Sequence, residues 1–116
     1  MRFQILIYNN ADAEAAIDGE LAGEFRRTHD EIIAELTASG ELVDTNELGI
    51  DDAVVVRADR ADPTRVHSTD GPFSEAREWV GGYYTVECET RERAIAIAGR
   101  FVEARFSPVE VRRLIH

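Results

Sequence analysis

The chain has one cysteine, three prolines and no lysine among its 116 residues. A single thiol, Cys88, cannot close an internal disulfide, which fits a reducing compartment and makes the cytoplasm the expected location. All thirteen basic residues are arginine, so no lysine Schiff base can form on this chain. No apolar run approaches the roughly 18 residues of a membrane span. Met1-Arg2 leads straight into a short strand with no small-residue cleavage site, so no signal peptide is expected. Three histidines and one cysteine without ligand spacing argue against a structural zinc site. Phosphate-cradling glycine turns, HExxH, CxxC and GxSxG are all missing. No metal and no cofactor is expected.

What is present is acid. The formal net charge is -10, divided as -13 over residues 1–90 and +3 over residues 91–116. A surface of that sign disfavours nucleic acid and anionic membranes as partners. The length fits one domain, spanning 1–116, with enough chain to bury a core.

Residues 2–8 alternate as a strand whose two faces, Phe3, Ile5, Ile7 and Gln4, Leu6, Tyr8, are both largely apolar. Asn9 to Asp12 reads as a loop. A helix follows from about Ala13 or Asp18 to Ser39, with Ile17, Leu21, Phe25, Ile32 and Leu36 in a stripe. His29 is four residues after Phe25 and three before Ile32, so the helix aims it at the buried side. It is either a satisfied core histidine or a group facing a pocket. Ser39-Gly40 stops the helix.

Short strands are expected at 42–45 and 53–58, with an extended stretch at 64–69. Trp79 to Glu89 alternates as a longer strand, with Val80, Gly82, Tyr84, Val86 and Cys88 on the apolar face. Two adjacent glycines inside it, Gly81 and Gly82, predict a bulge or a close approach by backbone or ligand. Thr90 is a good N-cap for a helix running to about Arg105. Val109 to Arg112 closes the chain as a strand that Leu114-Ile115 continues.

This order of strands and helices predicts an α+β domain, an antiparallel sheet with two helices on one face. Apolar groups on both sheet faces then predict a homodimer through the uncovered face.

Between the extended stretch and the long strand stands Asp70-Gly71-Pro72-Phe73. Pro72 fixes φ, and Gly71 tolerates the angles required before it, so the turn should hold Asp70 and Phe73 in set directions. With Glu75, Gly81-Gly82-Tyr83 and the acidic strand end at Glu87 and Glu89, this block resembles the DGPF-domain branch of the YCII-related proteins. The resemblance extends to the opening strand, His29, Gly40-Glu41-Leu42 and Val109 to Arg112, nearly the whole chain. It implies a ferredoxin-like fold that pairs into a dimeric α/β barrel. It also implies a His–Asp acid–base pair acting on a small molecule of undetermined identity, here His29 oriented by Asp70. Phe73, Glu75, Gly81, Gly82 and Tyr83 are the pocket candidates beside it. The alternative it leaves open is a non-catalytic dimeric ligand-binding or accessory module linked to sigma-factor regulation.

Overall fold

The structure, a computed structural model, describes residues 1–71 and 77–116. Strand β1 (Arg2–Asn10) leads into helices α1 (Ala11–Asp18) and α2 (Ala22–Ser39). Strands β2 (Leu42–Glu47), β3 (Val54–Ala58), β4 (Val66–Asp70) and β5 (Glu78–Glu87) follow. Helix α3 (Arg91–Ala98), a 3-10 helix (Val102–Arg105) and strand β6 (Val109–Arg113) complete the described elements.

Four strands form one antiparallel sheet in the order β2-β5-β1-β6. The period-two alternation of β1 and β5 turns Phe3, Ile5, Ile7, Tyr84 and Val86 to one face, where all are buried. Ile32 and Leu36 of α2, and Ala94, Ile97 and Ala98 of α3, join the same apolar cluster. Both helices therefore cover one face of the sheet, a mixed α+β arrangement compatible with the ferredoxin-like expectation. No helix among the described residues is long and apolar enough to cross a membrane.

The first helix is broken where one continuous helix was a possible reading. Gly19 ends α1, its N–H returning to the Ala16 carbonyl, and Leu21 N–H also bonds Ala16 O. Asn10, expected in a loop, is the last residue of β1 and caps α1 by accepting from Ala13 N–H. Gly40 ends α2 at φ 79°, the left-handed position that favours glycine. The second expected helix, to about Arg105, is also divided: α3 stops at Ala98, and the chain resumes as the 3-10 helix after Phe101. Strand β6 ends at Arg113, leaving Ile115 exposed.

The glycine pair of β5 makes the bulge that its sequence predicts. Ile7 pairs with Gly82 but Tyr8 pairs with Val80, so Gly81 is the extra residue. The bulge also reverses the simple alternation before it. Val80 stands opposite Tyr8, not on the Ile7 side with Gly82.

Strands β3 and β4 form a separate antiparallel hairpin. None of its residues joins the core cluster, and Val54, Val56 and Val66 are each more than half exposed. The radius of gyration, 16.3 Å, exceeds the about 13 Å of a compact chain of this length.

Candidate functional site

His29 stands on the inward side of α2, as its spacing from Phe25 and Ile32 requires. Its ring lies between aromatic neighbours. Phe25 meets it edge-on at 4.7 Å between centroids, and Phe101 stacks on it at 5.1 Å with 21° between planes. Tyr84 lies 5.8 Å away at 26°. These contacts fix the ring plane and direct its two nitrogens at named partners. Nδ1 is 2.7 Å from the Tyr84 hydroxyl. Nε2 is 3.0 and 3.2 Å from the two carboxylate oxygens of Glu103.

Glu103 is held from three directions. The 3-10 helix starts after Phe101 and buries Glu103 together with Val102. Its carbonyl accepts from the N–H groups of Phe106 and Ser107 and from the Ser107 hydroxyl. That hydroxyl also lies 2.6 Å from the Tyr8 carbonyl, tying the turn to β1, while Arg105 pairs with Glu24 of α2 at 2.5 Å. A carboxylate this buried is tolerable only with a partner, and the imidazole N–H is that partner.

The Tyr84 phenol is pushed up to about 12, chiefly by burial. A hydrogen bond with the Thr45 side chain pulls it down, and the charges of Glu103 and Asp30 push it further up. The phenol is thus a group that keeps its proton at neutral pH.

The three side chains border a cleft of about 580 Å³ between α1, α2 and the bulged end of β5. Phe25, Ile33 and Ile17 give it apolar wall; Asp18, Arg26, Asp30, Asn46 and Glu47 give it polar rim. The side chain of His29 is 17% exposed and that of Glu103 7%, so the imidazole is the more accessible of the pair. Among the described residues no group of His, Cys, Asp and Glu is disposed to hold a metal ion.

Of the residues singled out in the sequence, His29, Gly81, Gly82 and Tyr83 line this cleft. The glycines admit close neighbours: a Cβ at Gly82 would lie 3.1 Å from the Asn46 carbonyl oxygen, and one at Gly81 3.2 Å from the Asn9 Cβ. Asp70 ends β4 opposite Val54, is exposed, and is not among the residues lining the cleft. Gly71 N–H continues the ladder to the Ala53 carbonyl at 2.6 Å, where a Cβ would meet Ala53 at 3.2 Å. Its φ is not positive, so close approach is what favours glycine there. Phe73 and Glu75 lie outside the described residues. His67 is exposed on β4 opposite Arg57.

Two residues at the site were not singled out. The alternation of its strand places Tyr84 only on the buried face, although a buried phenol needs a hydrogen-bond partner. Glu103 follows Phe101-Val102, and a continuous helix would have carried it toward solvent. Cys88 is a buried thiol, pushed up by burial and by Glu41 beside it, which suits packing and not nucleophilic attack.

The family model of the YCII-related domain matches residues 1–116. No curated protein matches the chain.

Proposed function

The chain belongs to the YCII-related family, and from that premise we propose that it is a small enzyme using His29 as general acid or base on a small molecule held in the cleft. The observation that carries this reading is the imidazole at the wall of a cleft, with a buried carboxylate on one ring nitrogen and a phenol on the other. The carboxylate at Nε2 holds the ring in one orientation, and that is what a general acid or base needs from its orienting partner. Within one chain this orienting part falls to Glu103. Asp70 takes part only if the β3–β4 hairpin of a second copy brings it to the cleft, so its role is tied to dimerisation.

The fold we assign is ferredoxin-like, and we propose that two copies pair through the uncovered sheet faces into an α/β barrel in the cytoplasm. The strand order and the one-sided helices support the first part. The uncovered face, with Leu6 at its centre, supports the second. The test is to incubate the purified protein with a pool of small cellular metabolites and follow it by mass spectrometry. A compound consumed by wild type and spared by His29→Ala is the expected result. A compound bound but never consumed by either would replace the enzyme with a dimeric ligand-binding module, the accessory role in transcriptional regulation.

A further inference from the structure

Both ring nitrogens of His29 are engaged. Nδ1 meets the Tyr84 hydroxyl at 2.7 Å, and Nε2 meets the Glu103 carboxylate at 3.0 and 3.2 Å. Imidazole has no third site for a proton. A ligand in the cleft therefore cannot exchange a proton with His29 unless it breaks one of these bonds or passes the proton through a partner. Both partners line the cleft and both are nearly buried, Tyr84 at 2% and Glu103 at 6% exposure, but only the phenol both accepts and donates, so only it can pass a proton on to the ring nitrogen it faces. We infer that Tyr84 relays protons between a bound ligand and His29, with Glu103 holding the imidazole from the far side. This rests on the reading of His29 as an acid–base group.

At rest the Glu103 carboxylate accepts from Nε2–H. The lone pair of the neutral ring is then on Nδ1, and the Tyr84 hydroxyl donates to it. When the relay acts as a base, the ligand's proton moves to the phenol oxygen as the phenol's own proton moves to Nδ1. The ligand's bond to hydrogen breaks and its electron pair stays on the ligand. One O–H bond is exchanged for another, and an N–H bond forms. The products are a neutral phenol and an imidazolium facing Glu103; the reverse sequence makes the site an acid. Phenolate is never released, in keeping with a phenol held at about 12 by burial and by the charges of Glu103 and Asp30. The other charged group of α2 at the cleft is Arg26.

The relay is tested without knowing the substrate, by the rate at which His29 takes up a proton. Protein labelled with 15N at histidine is titrated, and the ring signals are followed through their midpoint. The exposed His67 and His116 serve as internal references. In wild type His29 should show one averaged set of signals. In Tyr84→Phe its proton exchange should slow by about tenfold or more, seen as broadening or splitting confined to His29. A hydroxyl with only a structural part would shift the midpoint and leave the rate alone, so an unchanged rate overturns the relay while leaving His29 as a direct acid or base. A wild-type His29 that takes up no proton between about pH 4 and pH 9 overturns the acid–base reading as well. If Tyr84→Phe does not fold, 3-fluorotyrosine in a Tyr8→Phe, Tyr83→Phe background keeps the hydroxyl and lowers its pKa. His29 exchange should then quicken by about twofold or more; no change again overturns the relay.

Discussion

The Nε2 atom of His29 on α2 lies 3.0 Å from a carboxylate oxygen of Glu103, 74 residues later in the 3-10 helix. The pair joins two elements that otherwise meet through the exposed Arg105–Glu24 ion pair. It should therefore matter for stability as well as chemistry. Glu103→Ala leaves a buried N–H without an acceptor and should cost about 2–3 kcal/mol. Glu103→Gln keeps an acceptor oxygen and should cost about 1 kcal/mol. Urea unfolding of both single variants with His29→Ala, and of the double variants, gives the coupling. A coupling under about 0.5 kcal/mol for the alanine pair would mean the contact is energetically idle.

The bulge in β5 brings its own constraint. A Cβ at Gly82 would stand 3.1 Å from the Asn46 carbonyl oxygen, and that oxygen is backbone of the neighbouring strand. Gly82→Ala must push β2 aside and should cost about 1–3 kcal/mol. Because β2 pairs Thr45 with Tyr84 and bonds the Thr45 hydroxyl to the Tyr83 carbonyl, the displacement should also move the His29 ring signals. A variant as stable as wild type with an unmoved His29 would show that β2 yields freely.

The sheet was legible in the sequence because its signals are local. Period-two alternation in β1 and in β5 after the bulge put the right residues on the buried face, and the paired glycines marked the bulge that moves Val80 off it. The stripe of α2 placed His29 inward from its spacings to Phe25 and Ile32 alone. The carboxylate beside it was not legible. Gly99 follows the last residue of α3, and the chain restarts as a 3-10 helix, so the phase that would have exposed Glu103 is reset. That reset depends on Ser107 and Arg105 gripping β1 and α2, contacts distant in sequence. Tyr84 was half legible. Its alternation gave burial, and only the tertiary approach of α2 gave its hydroxyl a partner.

Glu41 gives a pH dependence that does not involve the cleft. Its carboxylate bonds Arg93 at 2.9 and 3.0 Å, and Ser39 adds a further bond at 2.7 Å. The Arg93 bond first, then that of Ser39, holds it down at about 2 against an ordinary 4.5. A depressed carboxylate stabilises the fold above its unfolded pKa, and the benefit is lost as pH falls through its folded value. Glu41→Gln should therefore cost about 1 kcal/mol at pH 7, allowing for partial solvent screening. The gap to wild type should close between pH 4.5 and about 2. A difference independent of pH across that window would assign the effect to packing of the side chain instead.

The last prediction is the homodimer. The helices cover only one face of the four-stranded sheet. The other face carries Leu6, half-buried, among polar pairs: Gln4 with Thr85 at 2.7 Å, Tyr83 with Asp44 at 2.7 Å and Tyr8 with Glu110 at 3.1 Å. Both phenols are pushed up by the carboxylates they donate to, so they stay protonated as donors at neutral pH. Leu6 stands at the centre of this face between its cross-strand neighbours Tyr83 and Glu110, and the phenols of Tyr8 and Tyr83 each satisfy one of the face's carboxylates, Glu110 and Asp44. That composition suits burial against a second copy better than permanent exposure. Wild type should sediment as a dimer at micromolar concentration. Leu6→Glu introduces a charge at the centre of the face without touching the helix-covered core, and should yield a folded monomer. Wild type sedimenting as a monomer would refute the sheet-face dimer. A Leu6→Glu variant still dimeric would move the interface elsewhere, with the exposed valines of the β3–β4 hairpin the next surface to mutate.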